Sequence, residues 1–158
     1  MRRPATRRDR PRRRGTVVVD SSAVVAILFG EPAAASLMAG LAAHPVRLLS
    51  VANYVETGTV LAGRRRSDRA EAISDLDAFL DEAGIGLAPI DAAQARIALD
   101  ARIRYGRGMG HGGVPNFGDA FAYALAKVHA APLLYTGEDF GTTDIAAAIS
   151  QTGADSAA

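Results

Sequence analysis

The chain has no cysteine and a single lysine, Lys127. Without cysteine there is no disulfide framework, no thiolate zinc site and no cysteine nucleophile, and a reducing cytosol is the expected compartment. Long apolar runs are missing as well. The run Thr16 to Val19 passes straight into Asp20, which is too short for the core of a secretory signal despite the basic start. No segment is apolar over a bilayer's thickness, so no membrane partner is expected.

What is present fits one domain. At 158 residues the chain can bury most of its apolar surface in a single core. Its net charge of +1 conceals an asymmetry: residues 1–14 hold eight Arg and Asp9, for +7, and residues 15–158 carry −6. Residues 1–15, with Pro4 and Pro11 and no apolar periodicity, read as a disordered arginine-rich extension. Such an extension is either a solvated tail, or a product of an upstream start codon, or an arm for nucleic-acid phosphates. The expected division is this extension, a folded domain over 16–147, and a flexible tail over 148–158.

From Thr16 onward, short β-branched or aliphatic runs alternate with longer helical stretches, which predicts an α/β fold with a parallel sheet covered by helices. Strands are expected at Thr16 to Val19, Arg47 to Leu49, Leu87 to Ile90 and Leu133 to Tyr135. Helices are expected at Ala23 to Phe29, Glu31 to Ala43, Val51 to Gly63, from Ser67 to about Ala83, from Asp91 through Ile103, and Asn116 to Ala130. Ser50 and Asp91 are suited to cap the helices that follow them. The Val51 helix is expected to bury Val51, Tyr54, Val55 and Ala62, and the Ser67 helix a stripe of Ala70, Ile73, Leu76, Leu80 and Ala83. Gly106 to Gly113 reads as a loop.

Ligand sites in open parallel sheets lie beyond the carboxyl ends of the strands. Asp20 follows the first strand and Asp139 the last. Taken alone, Asp20 would serve equally well as a helix cap, and turn chemistry alone would account for Asp139. Glu56 is harder to explain structurally: it is the only charged residue between Arg47 and Arg64, and positions four before and four after are Ala52 and Val60. A lone carboxylate on such a helix needs a distant partner, a metal or an arginine. Asp119 opens a strongly apolar helix, where an acid suits the dipole, so its capping and site roles are compatible.

If these carboxylates converge within about 4 Å, each like pair costs on the order of 4 kcal/mol at an effective dielectric of 20. A cation must offset that repulsion. Oxygen donors, no cysteine, and no histidine near Asp20, Glu56 or Asp139 favour Mg²⁺, with Mn²⁺ as substitute, over zinc. A magnesium ion that keeps its waters suits phosphodiester hydrolysis.

Four segments carry a family resemblance: Val17-Val18-Val19-Asp20-Ser21-Ser22-Ala23, Tyr54-Val55-Glu56, Asn116-Phe117-Gly118-Asp119 running into Ala126, and Thr136-Gly137-Glu138-Asp139-Phe140 with Thr143-Asp144-Ile145. Over about Thr16 to Ile145 the chain resembles PIN-domain ribonucleases of the VapC toxin type. That resemblance implies a three-layer α/β/α sandwich around a central parallel sheet of about five strands. It implies Asp20, Glu56, Asp119 and Asp139 as a catalytic acidic quartet, with Asp20 and Asp119 the direct Mg²⁺ ligands. Ser22 and Thr136 would hydrogen-bond the ligating groups, and Asp144 would support them. It further implies an endoribonuclease of single-stranded or loop RNA, a homodimer, and a cognate antitoxin whose C-terminal segment enters the active-site groove.

RNA requires positive surface, and two clusters offer it: Arg64, Arg65, Arg66 and Arg69, and then Arg102, Arg104 and Arg107, which lead by sequence toward Asp119. Such runs are commonly only solvated. Gly108, Gly110 and Gly113 match a dinucleotide fingerprint, but a helical segment precedes them and no Walker lysine follows. A phospho-receiver module would also gather acids at strand ends, yet Lys127 sits within a helix; this module and a catalytically silent partner-binding domain are the competing readings. His111 reads as a solvent or RNA contact. Tyr54, Phe117, Phe121 and Tyr123 could stack on bases, although their helical spacing favours core packing.

Overall fold

The computed structural model describes residues 15–65, 68–105 and 116–150. Its order is β1 (Thr16–Val19), α1 (Ser21–Leu28), α2 (Ala34–Ala42), β2 (Val46–Ser50), α3 (Val51–Arg64), α4 (Arg69–Glu82), β3 (Ile85–Ala88), α5 (Ala92–Tyr105), α6 (Phe117–His129) and β4 (Leu133–Leu134). The arginine-rich extension, the glycine loop with His111, Arg66, Ser67, Arg107 and residues 151–158 lie outside the described residues.

The strands pair in parallel in the order β3-β2-β1-β4. The sheet therefore has four strands among the described residues, where about five were expected. The fifth place is taken by a single parallel bridge between Leu133 and Ala147. The Ala148 amide donates to the Leu133 carbonyl at 2.8 Å, and Ile149 packs against the core, so the chain stays on the sheet edge past residue 147.

Valine-rich β1 is buried on both sides, as a central parallel strand must be. Its alternation sorts two cores. Val17 and Val19 face Ala23, Val24, Leu37, Leu61 and Leu76 of α1 to α4. Val18 faces Ala101 of α5 and Ala122, Tyr123 and Leu125 of α6. This is the expected three-layer sandwich.

Two helix faces differ from expectation. Helix α3 buries Asn53, Thr57 and Leu61, whereas Val55 is 64% exposed. Helix α4 buries Ala72, Leu76 and Leu80 and leaves Ile73 about half exposed. The apolar residues thus left outward line a cavity of about 500 Å³ between the two helices, with Tyr54, Val55, Gly58, Ala62, Ile73 and Leu76 in its walls. Apolar content alone could not decide which face turned inward, because the inward face of α3 carries the polar groups that build the site.

Candidate active site

The sheet order places β1 between β2 and β4. Connections from β1 run outward through β2 to β3, and the chain returns to the opposite side of β1 only with β4. A crevice opens where the two directions diverge, beyond the carboxyl ends of β1 and β4. Asp20 leaves β1 there, and its amide donates to the Leu134 carbonyl at 2.9 Å.

Asp20 performs both roles considered for it, one on each oxygen. Its Oδ2 accepts from the Ser22 amide at 3.0 Å and caps α1. Its Oδ1 is buried with no hydrogen-bond partner. Burial, reinforced by Glu56 and opposed by hydrogen bonds from Ser22, raises this carboxyl to about 6. Ser22 also turns its hydroxyl oxygen toward the loop after β4, accepting from the Thr136 amide at 3.2 Å. Ser22 thereby ties Asp20 to the loop that carries Asp139.

Asp119 is likewise double. It stands at the third position of α6 in a reciprocal capping box: the Asn116 side chain accepts from its amide at 2.9 Å, and its Oδ2 accepts from the Asn116 amide at 3.0 Å. The side chain is nevertheless buried, and its carboxyl is raised to about 7. Burial is the main cause, followed by Asp20, while Asp139 and Glu56 also push it upward. The other three predicted acids thus all act to raise this carboxyl.

Glu56 projects from the middle of α3. Its neighbours four away offer nothing, as expected, but three residues earlier Asn53 directs its amide at Oε2 at 3.3 Å, and Ser21 donates to the same oxygen at 2.7 Å. On its far side lies Gly118: a Cβ there would fall 2.7 Å from Glu56 Cδ. The glycine of the Asn-Phe-Gly-Asp segment is what lets the carboxylate reach the start of α6. Asp139 sits on the exposed loop after β4, which Phe140 anchors by burying its ring 4.9 Å from that of Tyr135.

Asp144 stands elsewhere. It accepts from the Tyr123 hydroxyl at 2.6 Å and pairs with Lys127 at 2.7 Å, which holds its carboxyl below the usual range despite burial. Its observed partners are structural ones on α6 rather than the acids. Of the arginines, Arg102 and Arg104 close α5, and Arg104 pairs with Asp100 at 3.0 Å. Arg64 reaches Glu31 at 3.5 Å and lies over the Phe29 ring, and Arg65 pairs with Asp75.

Among the described residues, no three acidic or histidine side chains stand ready-made around one point as metal ligands. The donors present still fit Mg²⁺ or Mn²⁺. They are oxygens, one is buried without a partner, and burial, reinforced by neighbouring acids, raises both the Asp20 and Asp119 carboxyls. An ion that takes one or two carboxylates and fills its remaining positions with water matches that set.

The PIN domain family pattern matches residues 17–146. Ribonuclease VapC42 of Mycobacterium tuberculosis is 44% identical over 129 residues, spanning 82% of this chain and 96% of the relative. Ribonuclease VapC of Mycolicibacterium smegmatis is 45% identical over 131 residues, spanning 83% and 98%. The chain is a PIN-domain protein of the VapC family. The fold agrees with a solved structure of Mycobacterium tuberculosis VapC20, described as a sarcin-ricin loop cleaving toxin, at a TM-score of 0.62 and 19% identity, covering 82% of this chain and 95% of that one. A toxin-antitoxin complex from Klebsiella pneumoniae aligns at 0.61 and 17% identity, covering 81% and 92%.

Four residues of this PIN domain that touch the acids have no role assigned from the sequence: Ser21, Asn53, Asn116 and Gly118. Asn53 had a readable signal, an amide three residues before the lone acid of its helix. Ser21 had none that separated it from Ser22. Gly118 looked like flexibility, and only the tertiary approach of Glu56 shows why a side chain is excluded.

Proposed function

We propose that the protein is the toxin of a toxin-antitoxin pair and acts as a Mg²⁺-dependent endoribonuclease. The observation that supports this reading is the buried, unpartnered Asp20 Oδ1, together with an Asp119 carboxyl that burial and the other three acids raise. Asp20 and Asp119 would hold the ion, which supplies charge stabilisation to a phosphodiester and to the oxygen it releases.

The protein's own groups divide the remaining work. The capping bonds of Asp20 and Asp119 fix each carboxylate through Oδ2. Ser21 and Asn53 both bond Oε2 of Glu56, which leaves Oε1 to orient an attacking water or take its proton. Asp139 is the alternative acceptor. As the water oxygen bonds to phosphorus, the bond to the ribose 3′ oxygen breaks, leaving 5′-phosphate and 3′-hydroxyl ends.

The same reading assigns a homodimer, a cytoplasmic location and an antitoxin partner. The exposed apolar walls between α3 and α4 support a protein partner. The Arg102, Arg104 and Arg107 cluster is assigned to RNA phosphates. Replacing all three should weaken RNA binding and flatten its salt dependence; an unchanged slope removes that assignment.

The deciding experiment maps cleavage ends on total RNA with Mg²⁺, with Mn²⁺ and with chelator. Activity should need the cation and vanish in Asp20→Asn and Asp119→Asn. Cleavage that persists in chelator, or in Asp119→Asn, defeats the reading. Acetyl-phosphate labelling of an aspartate would establish the receiver alternative instead.

A further inference from the structure

We infer that Asn53 is a positioning residue that locks the Glu56 carboxylate to the first turn of α6. The consequence for catalysis rests on the proposed nuclease site; the lock itself stands on hydrogen bonding. Asn53 is wholly buried, and its Nδ2 lies 3.1 Å from Ser21 Oγ, 3.1 Å from the Gly118 carbonyl and 3.3 Å from Glu56 Oε2. Two amide hydrogens thus serve three acceptors. The Ser21 hydroxyl, accepting from Asn53, has one hydrogen of its own and lies 2.7 Å from Glu56 Oε2 and 3.2 Å from the Asn53 carbonyl. The shorter, charge-assisted bond to the carboxylate dominates.

A chain of donors therefore runs from Asn53 through Ser21 to Glu56, while a second arm of the same amide grips α6. Each group facing Nδ2 is an acceptor, so turning the amide over would set Oδ1 against a carboxylate and a carbonyl. Aspartate in this position would do the same with a full charge. The buried face of α3 continues through Thr57 to Leu61, so two turns along it an apolar side chain fills the same face. Asparagine here is explained by what it donates to. Gly118 and Asp119 are neighbours in α6, so gripping the one places Glu56 relative to the other.

The test is a double-mutant cycle in the full chain, using Asn53→Leu, which keeps bulk without donors, and Glu56→Gln. RNA cleavage rate, Mn²⁺ affinity by calorimetry, and melting midpoint in chelator are measured. Asn53→Leu should lower the cleavage rate at least tenfold, the range expected when a group that positions the attacking water is misplaced, and leave Mn²⁺ affinity, set by Asp20 and Asp119, nearly unchanged. In the Glu56→Gln background it should have little further effect. Equal losses with and without Glu56 reduce Asn53 to a packing residue and overturn the inference. If the wild type takes up no Mn²⁺, the cation reading fails, and the chelator melts decide the lock: non-additive shifts uphold it and additive shifts overturn it. Should Asn53→Leu not fold, Ser21→Ala removes the 2.7 Å donor to Glu56 together with one acceptor of the Asn53 amide, and must show the same dependence on Glu56.

Discussion

Asp20 carries two jobs on one carboxylate, and substitution can separate them. Asparagine caps helices as well as aspartate does, so Asp20→Asn keeps the bond from the Ser22 amide while removing the charge. Its melting midpoint in chelator at pH 8 should rise above the wild type while Mn²⁺ affinity collapses; a lower midpoint would show that the charge stabilises the fold. Gly118→Ala tests the other side of the site. The new methyl would meet the end of the Glu56 side chain, which can swing away at the loss of hydrogen bonds to a charged group contributing about 1.5–3 kcal/mol each. Alanine gains about 1 kcal/mol over glycine within a helix, which offsets only part of that loss, so stability should fall modestly. RNA cleavage should nevertheless fall at least tenfold, and a fully active Gly118→Ala would show that Glu56 does not need its place against α6.

Helix α6 shows how an element joins folding to chemistry. Its reciprocal cap satisfies two amides at the start of a helix whose buried run reaches from Asp119 to Ala126. Asn116→Ala should cost about 1 kcal/mol in denaturant unfolding. It should also free Asp119 Oδ2 and weaken cation binding, whereas Asn116→Ser restores the acceptor and should recover most of both. At its other end, Tyr123 and Lys127 hold Asp144 and thereby the segment that follows the Asp139 loop. The α3–α4 pair behaves differently. Its sequence stripes were read as buried, but the helices turn Val55 and Ile73 outward around the 500 Å³ cavity, since the inner face of α3 is committed to Asn53 and Thr57.

Across the whole molecule, the buried acids link stability to pH. Both Asp20 and Asp119 have folded values above their unfolded ones, so the native state binds more protons between about pH 4 and 7 and stability falls as pH rises through that window. The unliganded protein should therefore be more stable at pH 5 than at pH 8 in denaturant unfolding, by an amount on the order of a few kcal/mol. Saturating Mn²⁺ should remove that slope and raise the pH 8 midpoint, because an ion that binds only the folded state stabilises it by mass action. A flat pH profile in chelator would mean that burial does not raise the two carboxyls.

Much of this was legible beforehand. Strand β1 and the Ser50 and Asp91 caps are local, set by β-branched runs and by side chains that reach amides two or three residues on. Where the acids fall in the fold was legible from their surroundings: past a strand, alone on a helix, at a helix start. The four-stranded sheet among the described residues, the inward face of α3 and the pairing of Asp144 with Lys127 were not, since each depends on which distant surface a side chain meets. The linear order of residues sets where charge and turns fall along the chain. Only packing decides which oxygens share a crevice, because burial and repulsion act through space and carry no trace in residue spacing.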